Sequence, residues 1–245
     1  MHLEAFGLTD RGQRRRRNED AILYPPVVTH DRRGRPQYLL AVADGVGGAP
    51  GGQIASAAAI SSLRASAPRL GEDAGGLMRS LFAAANAEVS RKASEGRGQG
   101  MATTLVAALV GPGQLWVGNV GDSRAYLVHG EGIRQLTRDH TWVADQVEAG
   151  RLSNSEAARS PQRNLITRSL GSEAVAEVDI FGPKPLLRGD VVVLCSDGLY
   201  TKVPHSEIAE LCRGFPPKIA APMLIRLAND RGGPDNISAI VARLK

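Results

Sequence analysis

Six acidic residues stand where apolar runs begin or end. Asp44 closes YLLAVADG and Asp197 closes DVVVLCSDG, each followed by a glycine; Glu19 and Asp20 precede AILY, Asp122 sits in VGDSR, and Asp235 lies in GGPDN just before the apolar C-terminal run. Hard divalent cations such as Mg²⁺ and Mn²⁺ prefer carboxylate, carbonyl and water oxygens. Two of them held close together need several carboxylates to offset the repulsion between ions. Acids gathered at strand ends meet that need, so their joint placement points to a shared metal site. Singly, each has another reading. Asp122 could stabilise the GDSR turn, Asp235 an Asx-turn, and Glu19 and Asp20 could pair with the adjacent arginines. Asp-Gly between apolar runs is also a two-residue hairpin signal, but a hairpin needs a second strand at once. Asp44 is followed by GVGGAPGGQ and an Ala-rich helical run, and Asp197 by LYTKVP and the helical HSEIAELC. Neither copy reads as a hairpin.

The elements that must position these acids are legible as strands in runs and helices in pairs. HLEAFGLT alternates like a half-buried strand, a polar loop DRGQRRRRNED follows, and AILY resumes the strand pattern, a hairpin-like opening. YLLAVA is a strand, residues 52–66 and 77–93 have helical composition, and ASEGRGQG is a glycine-rich linker. TTLVAALV, QLWVGNV and RAYLVHG then read as three successive strands. Residues 137–171 are polar and helix-like (TWVADQVEAG, SNSEAARS) and interrupt the series as an inserted surface flap. VAEVDIF and DVVVLCS return to strands, residues 205–213 and 217–229 read as two helices, and NISAIVARL closes as a strand. Without strict strand–helix alternation, an antiparallel α+β layer architecture is expected rather than a parallel doubly wound sheet.

Composition narrows the class. A chain of 245 residues with 42% hydrophobic content can fill a large core. No run approaches a membrane span of about 20 apolar residues. The start MHLEAFGLTDRG lacks an apolar core behind a basic head, so no signal peptide is expected and a cytoplasmic location is the default. Cys195 and Cys212 lack the paired spacing of a zinc site and read as reduced core residues. Much of the net charge of +5 comes from Arg14 to Arg17, a run that reads as a solvated segment. With aromatic residues at only 4%, stacking platforms for nucleic acid are scarce.

The motifs RRRNEDA, LLAVADGVGG, GMATTLVAAL, VGNVGDSRAYL, LTRDHT, ITRSLG, VVVLCSDGLY and GGPDNIS, in this order over nearly the whole chain, resemble the bacterial branch of the metal-dependent Ser/Thr protein phosphatases, type 2C. The resemblance implies an α+β fold, a four-layer α-β-β-α sandwich of two antiparallel sheets flanked by helix pairs. It implies one catalytic domain over residues 1–245, with a flap insertion at about 138–171 and a binuclear Mn²⁺ or Mg²⁺ centre at one end of the sandwich. Asp44 matches the carboxylate that bridges the metals, Gly45 a backbone-carbonyl ligand, and Asp197 and Asp235 the other direct ligands. Glu19 and Asp20 match acids acting largely through metal-bound waters, and Asp122 with Asp197 matches a third-metal site.

Arg15, three residues before Asn18, matches the phosphate-binding arginine, with a guanidinium able to grip two phosphate oxygens. The implied reaction is direct attack on phosphoserine or phosphothreonine by a hydroxide bridging the metals, without a phosphoenzyme. Implied partners are phosphoproteins and an opposing Ser/Thr kinase, with no nucleic acid and no membrane, for a chain acting as a monomer. A metal-dependent phosphohydrolase or nuclease on other substrates, and an inactive phospho-binding module, are the alternatives. The chain departs from the family pattern at Val46, where some eukaryotic members carry a histidine, at Ala102 in GMATT, and at Ser160-Pro161, where the flap has a His-Pro in the family.

Overall fold

The inner strands of both sheets are apolar on both sides because both of their faces are covered. The computed structural model describes residues 2–46, 51–67, 73–95 and 100–245. Residues 47–50, after the first Asp-Gly, and 96–99, within the ASEGRGQG linker, lie outside the described residues. The elements in chain order are β1 (Leu3–Asp10), β2 (Asp20–His30), β3 (Pro36–Val46), α1 (Gly51–Ser66), α2 (Ala74–Glu95), β4 (Ala102–Thr103), β5 (Leu105–Gly111), β6 (Gln114–Val120), β7 (Arg124–His129) and β8 (Gly132–Gln135). They continue with α3 (Trp142–Glu148), α4 (Asn154–Arg159), β9 (Asp179–Pro185), β10 (Val191–Cys195), α5 (Asp197–Tyr200), α6 (His205–Gly214), α7 (Pro217–Asp230) and β11 (Ile237–Leu244).

One sheet has the order β1-β11-β10-β7-β8 and the other β2-β3-β5-β6-β9, with β4 pairing to β3. Side chains alternate between faces along a strand. In β3, Leu39, Ala41 and Ala43 face α1 and α2, while Leu40 and Val42 enter the layer between the sheets. In β10, Val191, Val193 and Cys195 face α6 and α7, while Val192 and Leu194 turn inward. The expected α+β sandwich of two antiparallel sheets between helix pairs is therefore the fold observed. The runs of β5 and β10 are buried at every position, unlike the alternating pattern of an antiparallel sheet with one face in water.

The hairpin-like opening is corrected. β1 pairs with β11 over the register Leu3↔Leu244 to Asp10↔Ile237, and β2 pairs with β3 in the other sheet. The intervening loop turns at Gly12 (φ +76°), and Gln13 N–H donates to Gly233 O at 2.8 Å, tying the loop to the turn before β11 rather than across to β2. The strand read in VAEVDIF begins only at Asp179, and two short elements, β8 and α5, had no clear signal in sequence. Cys195 and Cys212 are free and buried, as expected.

The segment 138–171 joins β8 of one sheet to β9 of the other and carries α3 and α4. Thr141 caps α3 through Ala144 N–H, and Ser153 with Glu156 forms a capping box on α4. Both ends are pinned: His140 N–H donates to Gly121 O at 3.0 Å, and Thr103 and Leu170 exchange backbone hydrogen bonds of 2.8 and 3.1 Å.

Candidate metal centre

Each predicted acid sits where a strand starts or stops, and the antiparallel sandwich brings these ends together. Asp20, the first residue of β2, lies directly opposite Asp44 in the β2–β3 ladder. Asp122 follows β6, Asp197 follows β10 and Asp235 precedes β11. A cavity of 680 Å³ is lined by Arg15, Glu19, Asp44, Gly45, Asp122, Asp197 and Asp235. All the predicted site residues except Asp20 therefore face one space.

Both glycines of the repeated Asp-Gly phrase are required by close approach rather than by a turn. A Cβ on Gly45 would lie 2.2 Å from Gly52 O and 2.6 Å from Glu19 O, and a Cβ on Gly198 would lie 2.0 Å from Asn236 O. Neither position has room for a side chain. Gly45 N–H donates to Glu19 O at 3.1 Å, locking the first Asp-Gly against the loop before β2. Around Asp44, Thr104 Oγ1 accepts from the Asp44 N–H at 3.1 Å and Thr103 Oγ1 donates to Asp44 O at 2.9 Å. Thr104 Oγ1 also lies 2.8 Å from Ser123 Oγ, which ties the GMATT segment to GDSR.

Asp20 stands behind the cavity and stitches the two sheets. Its Oδ2 accepts from Ser196 Oγ at 2.8 Å, just past the end of β10, and from Ser238 Oγ at 2.7 Å in β11 of the opposite sheet. Ser238 Oγ is also 2.7 Å from Thr9 Oγ1, which accepts from Asn18 Nδ2 at 2.9 Å. A hydroxyl has one proton to give. With Ser238 donating to the carboxylate, the chain runs from Asn18 through Thr9 and Ser238 to Asp20. This excludes the reading of Asp20 as a partner of the adjacent arginines.

The electrostatics are those of a cluster of like charges held out of water. Burial, and then the neighbouring carboxylates, push Asp44 and Asp197 well above the usual carboxylate range. Burial raises Asp20 and Asp122 to about 6. Asp20 Oδ1 and Asp197 Oδ1 are buried without a hydrogen-bond partner among the described residues. Orphaned carboxylate oxygens in a repelling cluster fit hard divalent cations. Among the described residues no three acids, thiols or imidazoles close around a single point. Ions that take part of their shell from water and from a carbonyl such as that of Gly45 do not need such a cage.

Asp235 accepts from Arg15 Nη2 at 2.7 Å and, at Oδ1, from Asn236 N–H at 2.8 Å. Asn236 is a residue to which sequence reasoning gave no role. Its Nδ2 donates to Arg11 O and Arg17 O at 2.8 and 2.9 Å, and its Oδ1 accepts from Glu19 N–H at 2.8 Å, so one amide clamps the arginine loop to the acids of the cavity. Ser196 and Ser238 were likewise without a role; the available signal was a small polar residue at a fully buried position of an apolar strand. On the far side of Asp122, Tyr200 Oη donates to it at 3.4 Å, and Arg124 stacks 3.6 Å over the Tyr200 ring while making a bidentate pair with Asp139. Cys195 is fully buried away from the cavity, and burial pushes its thiol far above the usual range and that of Cys212 up to about 12, which disfavours the thiolate a nucleophile needs.

A family model described as "Protein phosphatase 2C" matches residues 4–237. The chain is 36% identical over 248 residues to the serine/threonine phosphatase stp of Listeria monocytogenes, an alignment covering 98% of this chain and 95% of that one. Among solved structures it resembles the serine/threonine phosphatase Stp1 of Staphylococcus aureus, with a TM-score of 0.89, 33% identity and coverage of 100% and 96%. It also resembles the catalytic domain of the serine threonine protein phosphatase PstP in complex with 2 manganese ions, with a TM-score of 0.84, 32% identity and 99% coverage of both chains.

Proposed function

This chain belongs to the protein phosphatase 2C family, and we propose that its acidic cavity hydrolyses phosphoserine and phosphothreonine in proteins at a two-metal Mn²⁺ or Mg²⁺ site. The observation that carries the reading is the cavity itself. Asp44, Asp122, Asp197 and Asp235 share it with a phosphate-competent Arg15, and the buried acids are raised by desolvation and by one another. Divalent cations held among these acids would offset their charge and let an anionic substrate approach at neutral pH.

Asp44, Asp197, Asp235 and the Gly45 carbonyl would hold the two ions, with Glu19 and Asp20 oriented toward water in their shells and Asp122 with Asp197 toward a third. Two such ions supply a water nucleophile of lowered pKa and positive charge facing the phosphoryl oxygens. The chain's own part is orientation. Asp20 is held by Ser196 and Ser238, so its free Oδ1 is aimed rather than mobile. Arg15 presents a planar fork of donors to the phosphoryl oxygens and must exchange its bond to Asp235 for them. Ser196 Oγ is engaged with Asp20, and among the described residues no hydroxyl or thiol side chain lines the cavity, which favours direct hydrolysis. Val46 lines the cavity after Asp-Gly and carries no proton, so the leaving group takes its proton from solvent-derived water or another group.

Residues 1–245 act, in this reading, as one catalytic unit and as a monomer that opposes a Ser/Thr kinase. No helix among the described residues is long and apolar enough to cross a membrane. The test is hydrolysis of a phosphothreonine peptide with Mn²⁺ or Mg²⁺, which chelator should abolish. Faster cleavage of nucleic acid or nucleotides than of phosphopeptides would favour a different phosphohydrolase, and phosphopeptide binding without turnover a non-catalytic module.

A further inference from the structure

The four arginines of the loop before β2 do not share one environment. Arg15 bonds Asp235, but Arg16 and Arg17 also line the metal cavity, whereas Arg14 does not. Expected from sequence to be solvated, Arg16 and Arg17 are indeed exposed, yet they are exposed into the site. Among the described residues neither makes an ion pair or a side-chain hydrogen bond. The backbone beneath them is held firmly. Gln13 N–H is bonded to Gly233 O, and Asn236 Nδ2 grips the carbonyls of Arg11 and Arg17. Two unpaired guanidinium groups are thus carried on a fixed base at the wall of a cavity whose acids are committed to cations. The flap residues that complete the lining, Asn164 and Ile166, are uncharged and offer these cations no counter-charge.

Unpaired arginines beside a substrate site are anion receptors. A guanidinium matches a carboxylate or a phosphate through two parallel N–H donors. We infer that Arg16 and Arg17 form a flanking subsite for a negatively charged side chain next to the phosphoresidue, so that the preferred substrates are acidic or multiply phosphorylated segments. Arg15 takes the phosphate to be cleaved, and Arg16 and Arg17 take its neighbour. This inference rests on the phosphatase reading above and adds the substrate class. Because the subsite is open to solvent, each contact contributes modestly and is screened by salt. The selectivity it gives is therefore an affinity effect, seen in KM more than in kcat, and strongest at low ionic strength.

The experiment compares kcat/KM of the Mn²⁺-loaded protein on three phosphothreonine peptides, whose flanking residues are alanine, aspartate or a second phosphothreonine. The expected result is a preference of about 5-fold or more for both anionic peptides at low salt, carried by KM and shrinking as salt rises. In Arg16→Gln/Arg17→Gln the ratio between anionic and neutral peptides should fall toward unity, while Arg14→Gln should keep it. A preference for the doubly phosphorylated peptide alone would assign the subsite to a second phosphate, and for aspartate alone to a carboxylate. Equal kcat/KM on all three peptides, or a preference lost equally in Arg14→Gln, would overturn the inference. Hydrolysis of p-nitrophenyl phosphate by the parent protein, a substrate with no flanking residue, reports separately on the phosphatase reading. If that substrate and the peptides are all inert, the underlying function fails rather than the subsite.

Discussion

Arg15 Nη2 and Asp235 Oδ2 are joined by a 2.7 Å ion pair between residues 220 positions apart in the chain. The pair links the group assigned to phosphate with a group assigned to metal, at the mouth of one cavity. The neighbouring carboxylates Glu19 and Asp197 reinforce the Arg15 charge, so the arginine is held ready rather than free. Arg15→Ala should therefore leave Mn²⁺ binding by calorimetry intact while lowering kcat/KM on phosphopeptide by about 10²-fold or more, the scale of losing one transition-state donor. Arg15→Lys should recover only part, because a point charge replaces a planar fork. Loss of Mn²⁺ binding in Arg15→Ala would place the arginine in the metal site instead.

Asp44 is raised first by burial and then by the charges of Asp20, Asp197, Asp122 and Asp235 that crowd it. Removing its charge should have opposite effects on stability and on function. Asp44→Asn is expected to abolish turnover and the Mn²⁺-induced rise in melting temperature, yet to melt higher than the parent protein in chelator, by a few degrees for each kcal/mol of repulsion relieved, about 2–4 °C. A variant that still binds Mn²⁺ and turns over normally would remove Asp44 from its bridging assignment.

Burial, reinforced by the crowding of the carboxylates, sets a pH dependence whose sign is unusual for carboxylates. Asp20 and Asp122 are raised to about 6, and Asp44 and Asp197 are also raised, from unfolded values of about 4. Between those limits the folded protein binds more protons than the unfolded chain, so stability falls as pH rises through the window. In chelator, the melting temperature should climb as pH is lowered from about 7.5 to 5. Saturating Mn²⁺ should flatten or reverse the trend, because the ions take the place of the protons. A melting temperature that rises with pH in chelator over this range would contradict the assigned environment.

Asp20 depends on two hydroxyl donors, Ser196 just past the end of β10 and Ser238 in β11 of the other sheet. Ser238→Ala removes one and also breaks the chain from Thr9. A hydrogen bond to a buried charged group contributes about 1.5–3 kcal/mol, so thermal unfolding should shift down by about 3–12 °C. The Mn²⁺ affinity should weaken with it, since the free Oδ1 of Asp20 loses its fixed aim. Unchanged stability and affinity would mean that Ser196 alone holds the carboxylate.

How far the sequence could be read depended on the range of the interactions concerned. The helices at 52–66, 77–93, 205–213 and 217–229 follow from local composition and pattern, and α1, α2, α6 and α7 lie where those patterns predict. Apolar runs marked the strands but not their partners. β1 alternates like a half-buried strand, yet nothing in Leu3–Asp10 distinguishes β11, at the far end of the chain, from β2 close by. The missed β8 and α5 span four residues each, too few for a period to register.

The sequence by itself determined which chemistry was available: acids at strand ends, glycines beside two of them, and an arginine run before Asn18. It determined the layer architecture as well, because strands in runs and helices in pairs leave few other ways to bury so much apolar surface. Tertiary structure alone decided which groups meet. The Asp20 clasp by Ser196 and Ser238, the Asn236 clamp on the arginine loop and the turning of Arg16 and Arg17 into the cavity all join residues far apart in sequence. Their geometry is set by how two sheets pack face to face. A hydrogen bond or an ion pair acts over a few ångströms of space, and separation along the chain says little about that distance until the sheets have closed.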